Sequence, residues 1–159
     1  MSSAKKTVVI TGATSFVGMH LCDAFSQNGW QVIAGHTRNL EDYINPQSRR
    51  ISQISKTVEF KQFNISDAAA LVAIVNEYRP SLWIQHAGYA VNYAGSDYDF
   101  ETGLKIHAGS VPILFSVLKN KDCGVIVTGT EAEYGHSDRA HVESDLPNPN
   151  SLYGITKLT

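Results

Sequence analysis

Cysteine is scarce in this chain: Cys22 and Cys123 are the only two among 159 residues. They form no C-x-x-C pair and suggest no disulfide framework, so a reducing cytosol is the expected setting. An excess of charge is also lacking. The balance of 13 Lys and Arg against 15 Asp and Glu gives a formal net charge of −2. Such a surface offers no general pull toward nucleic acid or an anionic membrane. Long apolar runs are missing too. The start, Met1-Ser2-Ser3-Ala4-Lys5-Lys6, is basic, but the run behind it is only Val8-Val9-Ile10. That is too short for a signal-peptide core or a membrane span. No repeat, low-complexity tract or internal linker stands out. His20, His107, His136 and His141 show no metal-ligand spacing. The last two fall on a polar loop and are expected to be solvated. What is present is ordinary globular composition, 43% hydrophobic and 18% charged, in a chain long enough for one core.

The pattern along the chain alternates strands with helices. Thr7–Thr11 is β-branched and bounded by Gly12, which predicts a buried strand. Val17–Gln27 carries Val17, Leu21, Ala24 and Phe25 at helical spacing, and Asn28-Gly29 supplies the stop. Trp30–Gly35 and Thr57–Phe63 read as strands, separated by a polar stretch with one short helix broken near Pro46. Ser66 is expected to cap a helix over Asp67–Tyr78, with Leu71, Val72, Ile74 and Val75 as its apolar positions. Leu82–His86 is a fourth strand. Tyr98–Lys119 is a long helix in which Pro112 predicts a kink or break, and Gly124–Thr130 is a fifth strand. Glu131–Asn150 has the composition of an active-site loop, and a helix begins at Ser151. This order implies an α/β fold with a doubly wound parallel sheet, whose ligands sit beyond the carboxyl ends of the strands.

Three features lie at such ends. Gly12 and Gly18 frame a turn between the first strand and first helix, where a pyrophosphate can approach backbone amides and a helix N-terminus. An NAD-selective site usually places an acid near the end of the second strand. Here the segment is Ala34-Gly35-His36-Thr37-Arg38. It has no carboxylate, and Arg38 is placed either to meet a 2′-phosphate or to lie solvated on the surface. The third feature is Tyr153-Gly154-Ile155-Thr156-Lys157. That spacing sets a phenol and an ammonium on one helix face. An ammonium nearby favours phenolate, so the pair could exchange a proton with a substrate hydroxyl while hydride moves to or from a nicotinamide.

Taken together these segments resemble the short-chain dehydrogenase/reductase family. Thr11-Gly12-Ala13-Thr14-Ser15-Phe16-Val17-Gly18 is similar to its T-G-x-x-G-x-x-G turn, with Ser15 in place of the middle glycine. The Ser15 side chain would either crowd a pyrophosphate or donate to it. The resemblance implies a Rossmann-type NAD(P) site drawn from Gly12, Thr14, Ser15, Phe16, Val17, Gly18, His36 and Arg38. It also implies Asn64 and Ile65, where the family has an acid that contacts adenine, and His86-Ala87-Gly88 after the fourth strand. His86 alternatively reads as a hydrogen-bonded core histidine, and Asp67 as a helix-end acid with no part in the cofactor site. The family's usual Asn in the long helix falls at Ile106 or His107.

Val125–Gly135, ending Thr130-Glu131-Ala132-Glu133-Tyr134-Gly135, is similar to the family's fifth strand and its Ser/Thr-x-x-x-Tyr-Gly ending. On that match Thr130 orients the reacting oxygen, with Thr128 as runner-up, and Tyr153 and Lys157 are catalytic while also contacting the cofactor. The branch implied is the extended one, which includes UDP-galactose 4-epimerase, sugar-nucleotide dehydratases and 4-ketoreductases. In dehydratases an acid stands where this chain has Ala132, so epimerase or reductase chemistry is expected over dehydration. Glu131 and Glu133 are expected to face solvent. The implied cofactor is NADP, with NAD as the alternative, and the implied partner is a nucleotide-sugar substrate. No metal, nucleic acid or membrane is expected. A homodimer through the helix at Tyr98–Lys119 and the one carrying Tyr153 is possible by resemblance only. Extended members continue well past Tyr-x-x-x-Lys, so residues 1–159 read as one truncated NAD(P)-binding domain. A cofactor-binding fragment or nucleotide-sensing module without activity is the other expectation.

Overall fold

Thr7–Thr11 forms strand β1 and is buried at every position, as a β-branched run bounded by glycine should be. It lies at the centre of the sheet in a computed structural model that describes residues 5–159. The opening residues Met1-Ser2-Ser3-Ala4 lie outside the described residues. The chain divides into two compact units, Met1–Ala87 with Leu114–Val127, and Gly88–Ile113 with Thr128–Thr159.

The first unit holds the whole sheet. Strands β1, β2 (Gln31–His36), β3 (Glu59–Gln62), β4 (Leu82–Gln85) and β5 (Gly124–Val127) pair in the order β3-β2-β1-β4-β5. Every pairing is parallel. The order turns back beside β1, between β2 on one side and β4 on the other, which is the switch point of a doubly wound sheet. Side chains alternate across each strand. Val8, Ile10, Val32, Ala34 and Ile84 share a core with Met19 and Cys22 of helix α1 (Phe16–Gln27) and Ile54 of α2 (Gln47–Ile54). Helix α3 (Ala68–Tyr78) buries Leu71, Ile74 and Val75.

Several sequence expectations need correction. In α1 the buried positions are Gly18, Met19 and Cys22, whereas Val17 is 49% exposed and Ala24 is exposed. The apolar stripe is therefore turned about one position from the expected one, and Leu21 and Phe25 only flank the core. The cap of α3 is Asp67 rather than Ser66: its carboxylate accepts the Ala69 and Ala70 amides. Val72 is 43% exposed. The short helix α2 starts directly after Pro46, which follows a cis peptide bond. Strands β3, β4 and β5 are shorter than read, because chain after Gln62, Gln85 and Val127 leaves the ladder for the loops above it.

The second unit is built from the first part of α4 (Phe100–Leu118), a 3-10 turn at Glu131–Glu133 and α5 (Leu152–Leu158). The long helix starts later than expected because Asp99 accepts the Thr102 amide at 3.0 Å and so ends the preceding loop. It runs on through Pro112 without a break. Proline there removes one bond, to the Ala108 carbonyl, and its ring is exposed.

Close packing of α1 on β1 rests on Gly18. A Cβ there would overlap the Gly12 carbonyl, a backbone group that cannot rotate away. Gly29, in the left-handed region at φ +81, has nothing within 4 Å of a would-be Cβ. Gly18→Ala should therefore cost about 1–3 kcal/mol by overpacking, with a shift of α1. Gly29→Ala should cost about 1–2 kcal/mol through backbone strain alone. Urea unfolding of both variants checks this. Only Gly18→Ala should also weaken whatever binds at the turn.

Candidate functional site

In the first unit, Thr11 closes β1 against β4. Its hydroxyl accepts the His86 and Ala87 amides, each at 2.9 Å. The turn that follows has Gly12 at φ +70, and a Cβ there would stand 3.0 Å from the Ala87 backbone. Only glycine meets both demands. Ser15 then caps α1: its hydroxyl accepts the Gly18 amide at 2.9 Å and lies 3.0 Å from His86 Nε2. The serine that departs from the family pattern is thus a helix cap tied to a histidine. Phe16 and Val17, which follow the cap, are 61% and 49% exposed. Their amides belong to the first turn, where no intrahelical acceptor exists. A cradle that a Cβ would fill, beside an exposed helix start, fits the diphosphate of a dinucleotide.

The other expected cofactor residues behave less uniformly. His36 is buried, with Nδ1 at 2.7 Å from the Arg38 carbonyl, so its ring serves its own loop. The Arg38 guanidinium stacks 4.6 Å from the Tyr43 ring centroid. Tyr43 is buried, and its hydroxyl accepts the Thr37 and Arg38 amides at 3.4 Å. Burial works against its phenolate, but those amides and hydrogen bonds with Thr37 and Thr14 prevail and hold the phenol below its usual range. Nothing in the sequence marked Tyr43, since a tyrosine in a polar stretch carries no pattern. Asn64 uses Oδ1 to accept the Ser66 amide at 2.9 Å, and Ile65 is buried. Ile65 therefore offers only its backbone. His86 is half-buried and hydrogen-bonded to Ser15, so the core-histidine reading accounts for its ring.

The second unit brings the expected reactive residues together. Ser151 caps α5 by accepting the Gly154 amide at 3.0 Å. Gly154 lets the helix sit on the Glu131–Glu133 turn, since a Cβ there would overlap the Ala132 carbonyl. Tyr153 is then ringed by Tyr93, Tyr98 and His107, at 5.5, 5.9 and 5.7 Å between centroids. Lys157 Nζ donates to the Thr128 carbonyl at 2.6 Å.

The electrostatics overturn one expectation. Burial pushes the Tyr153 phenol above its ordinary value, with the Tyr98, Glu133 and Tyr93 charges adding to it; the Thr130 hydrogen bond only opposes this. The Lys157 ammonium donates to a backbone carbonyl. Burial likewise lowers Lys157, against the opposing charge of Glu133. Glu133 is half-buried, not solvated: it accepts the Thr130 amide at 3.0 Å in a capping box. Glu131 is exposed as expected.

Between Tyr153 and Lys157 lies Thr156, fully buried. His107 Nε2 accepts the Tyr89 amide at 2.9 Å, so that nitrogen carries no hydrogen and Nδ1 donates to Thr156 Oγ1 at 3.0 Å. The Tyr98 hydroxyl is also 3.0 Å from Thr156 Oγ1, which donates to the Tyr153 carbonyl at 2.9 Å. Of the two residues weighed for the family's Asn, His107 is the buried one. His141, expected to be solvated, instead bonds Asp145 at 3.3 Å and the Gly135 carbonyl at 3.2 Å; His136 is exposed. Among the described residues no group of three or more His, Cys, Asp or Glu could hold a metal, and no helix is long and apolar enough to cross a membrane.

The family model of NAD dependent epimerases/dehydratases matches residues 8–159. The chain belongs to that family. Curated relatives include methionine adenosyltransferase 2 subunit beta of Xenopus tropicalis, 26% identical over 96% of this chain and 41% of its own length. UDP-glucose 4-epimerase of Neisseria gonorrhoeae is 24% identical over 95% of this chain and 45% of its own. The fold matches a UDP-glucuronic acid 4-epimerase mutant of Bacillus cereus, solved with NAD and UDP-4-deoxy-4-fluoro-glucuronic acid. That match has a TM-score of 0.79 and 22% identity, over 96% of this chain and 49% of the other. A UDP-glucose 4-epimerase of Stenotrophomonas maltophila, solved with bound NAD and formylated UDP-arabinopyranose, has a TM-score of 0.79 and 20% identity, over 97% and 46%. The chain thus spans under half the length of the curated relatives it matches.

Burial, with the Lys157 charge adding, holds the His107 imidazole down at about 4, against an ordinary value of 6.5. The unfolded chain therefore binds one more proton than the native chain between those values. Stability should fall as pH drops from about 6.5 toward 4, with the loss complete below that. Thermal midpoints across this range should fall less steeply for His107→Gln than for the parent chain.

Proposed function

We propose that this chain carries the cofactor-binding turn and proton-transfer groups of an NAD(P)-dependent sugar-nucleotide epimerase or reductase. The observation that supports it best is that the helix carrying Tyr153, with Lys157 one turn on, packs through Gly154 on the turn that follows Thr130, in a member of this family. A bound nicotinamide would supply hydride acceptance and donation. Tyr153 then gives a proton to a substrate carbonyl oxygen or takes one from the corresponding hydroxyl, and Thr130 holds that oxygen by a second hydrogen bond. Lys157 lies one turn along the same face to hold the cofactor's ribose. Epimerase or reductase chemistry is favoured over dehydration because Ala132 stands where elimination needs an acid. Glu133 is committed to the Thr130 amide and Glu131 faces solvent.

Arg38 is the reason to favour NADP, since it is exposed at the carboxyl end of β2 and the segment Ala34–Arg38 holds no carboxylate. NAD is the alternative, and it is the cofactor present in the two solved epimerases described above. A second reading is that the chain belongs to a subunit that binds nucleotide without turning it over. The relatives named methionine adenosyltransferase 2 subunit beta favour it.

Thermal-shift titration with NADPH and NADH, followed by absorbance assays with UDP- and GDP-sugars, separates these readings. Arg38→Ala should cut the preference for NADPH over NADH by about tenfold or more, which corresponds to ~1.4 kcal/mol. Equal loss of both would mean that Arg38 does not meet a 2′-phosphate. Tyr153→Phe should reduce turnover at least about 100-fold and leave cofactor binding intact. Surviving turnover would remove Tyr153 from the chemistry.

A further inference from the structure

We infer that Tyr43 is a specificity-determining positioning residue, which holds the Arg38 guanidinium ready for the 2′-phosphate of an adenine dinucleotide. The inference rests on the proposed choice of NADP through Arg38.

Thr37 and Arg38 follow β2 and belong to no strand. Their four backbone polar groups are nevertheless all bonded, each by a side chain. The Tyr43 hydroxyl accepts the Thr37 and Arg38 amides, both at 3.4 Å. Gln62 Nε2, at the end of β3, donates to the Thr37 carbonyl at 3.1 Å. His36 Nδ1 donates to the Arg38 carbonyl at 2.7 Å, since a carbonyl can only accept. Side chains from the end of β2, the end of β3 and the residue after a 3-10 turn at Leu40–Asp42 thus fix two loop residues. Tyr43 and His36 are buried, and the His36 ring meets Phe60 and Tyr43 edge-on at 5.8 and 6.4 Å between centroids. The Tyr43 amide closes the 3-10 turn on the Leu40 carbonyl. The ring is therefore itself held in place.

The Arg38 side chain uses that ring as a platform. Arg38 is exposed, yet its guanidinium lies 4.6 Å from the Tyr43 ring centroid. Stacking occupies the flat face of a guanidinium and leaves its in-plane N–H donors for another partner. Among the described residues no carboxylate forms an ion pair with Arg38, and Glu41 and Asp42 in the adjoining turn do not reach it. A mobile arginine loses rotamer freedom when it grips a phosphate, and one already stacked loses less. The ring thus supplies in advance the order that bidentate binding of a phosphate requires. A ribose with a free 2′-hydroxyl offers no anion to the guanidinium, so the gain goes to the phosphorylated cofactor.

NMR relaxation of the arginine 15Nε groups tests the positioning without any nucleotide. Arg38 should be more ordered than Arg49, which is exposed and has no ring contact or ion pair among the described residues. Tyr43→Leu should lower the Arg38 order to that of Arg49, and Tyr43→Phe, which keeps the ring, should retain it. Fluorescence titrations with NADPH and NADH then test specificity. Tyr43→Leu should cut the preference for NADPH by about threefold, the scale of one cation–π contact. Tyr43→Phe should cut it less. In the Arg38→Ala background Tyr43→Leu should leave the ratio unchanged, because the ring acts through the guanidinium. A purely structural Tyr43 would weaken both nucleotides equally when replaced, and that result overturns the proposal. An Arg38 as mobile as Arg49 in the parent chain overturns it too. A parent that binds NADH as tightly as NADPH overturns the NADP reading instead, and the relaxation data still decide whether Tyr43 holds Arg38.

Discussion

The Gly12 carbonyl lies where a side chain on residue 18 would have to stand, and much of the first unit follows from that contact. It brings the start of α1 against the turn after β1 with no side chain at that contact. Its start then falls at Ser15, whose hydroxyl takes the Gly18 amide and reaches His86 at the end of β4. Thr11 completes the same junction from below with the His86 and Ala87 amides. Two glycines, a serine and a threonine therefore fix the carboxyl ends of β1 and β4 at the point where the sheet order reverses. Loss of backbone freedom at these residues is offset by a fully buried β1.

A comparable economy marks the second unit, where one hydroxyl does the joining. Thr156 sits between the two residues that chemistry would single out. Its Oγ1 links His107, Tyr98 and the Tyr153 carbonyl. Burying that hydroxyl is tolerable because each of its bonding directions is used. The seven-residue helix α5 is too short to be stable by itself. It is held by this network, by the Ser151 cap, and by the contact of Gly154 with the turn that carries Thr130. The motif and its support are thus interleaved on one helix, with alternate duties from residue to residue.

The α/β alternation was legible because β1 and the helices have strong periodicity, and the glycine turn because its spacing obeys a backbone constraint. Element ends were less legible. Val17 and Val72 are apolar yet exposed, since hydrophobic spacing states which residues could face a core but not the rotation of the helix about its axis. Ser66 lost the cap to Asp67, although both are good caps, because the chain there turns at Asn64 and presents Asp67 to the free amides. In the site, Tyr153, Lys157 and Thr130 could be named from spacing and resemblance. His107, Tyr98 and Thr156 could not be assigned roles, because their partners are 49 and 58 residues apart in sequence. Alternation along an extended chain would turn Glu133 away from the direction of Ala132, with solvent as its surroundings. The chain there is a 3-10 turn, where that rule does not apply.

Burial acts on the two ends of Tyr-x-x-x-Lys in opposite directions. It raises the phenol and lowers the ammonium, so it favours the form in which neither carries charge. Glu133 resists this at Lys157, where it supports the ammonium, and reinforces it at Tyr153. A depressed phenol, the usual expectation for this motif, therefore needs something more than the lysine in sequence. It needs the ammonium released from the Thr128 carbonyl and aimed at the phenol or at a ligand beside it. Tyr153 and Lys157 also carry structural duties of their own, through the Tyr153 carbonyl that accepts the Thr156 hydroxyl and the Lys157 ammonium that donates to the Thr128 carbonyl.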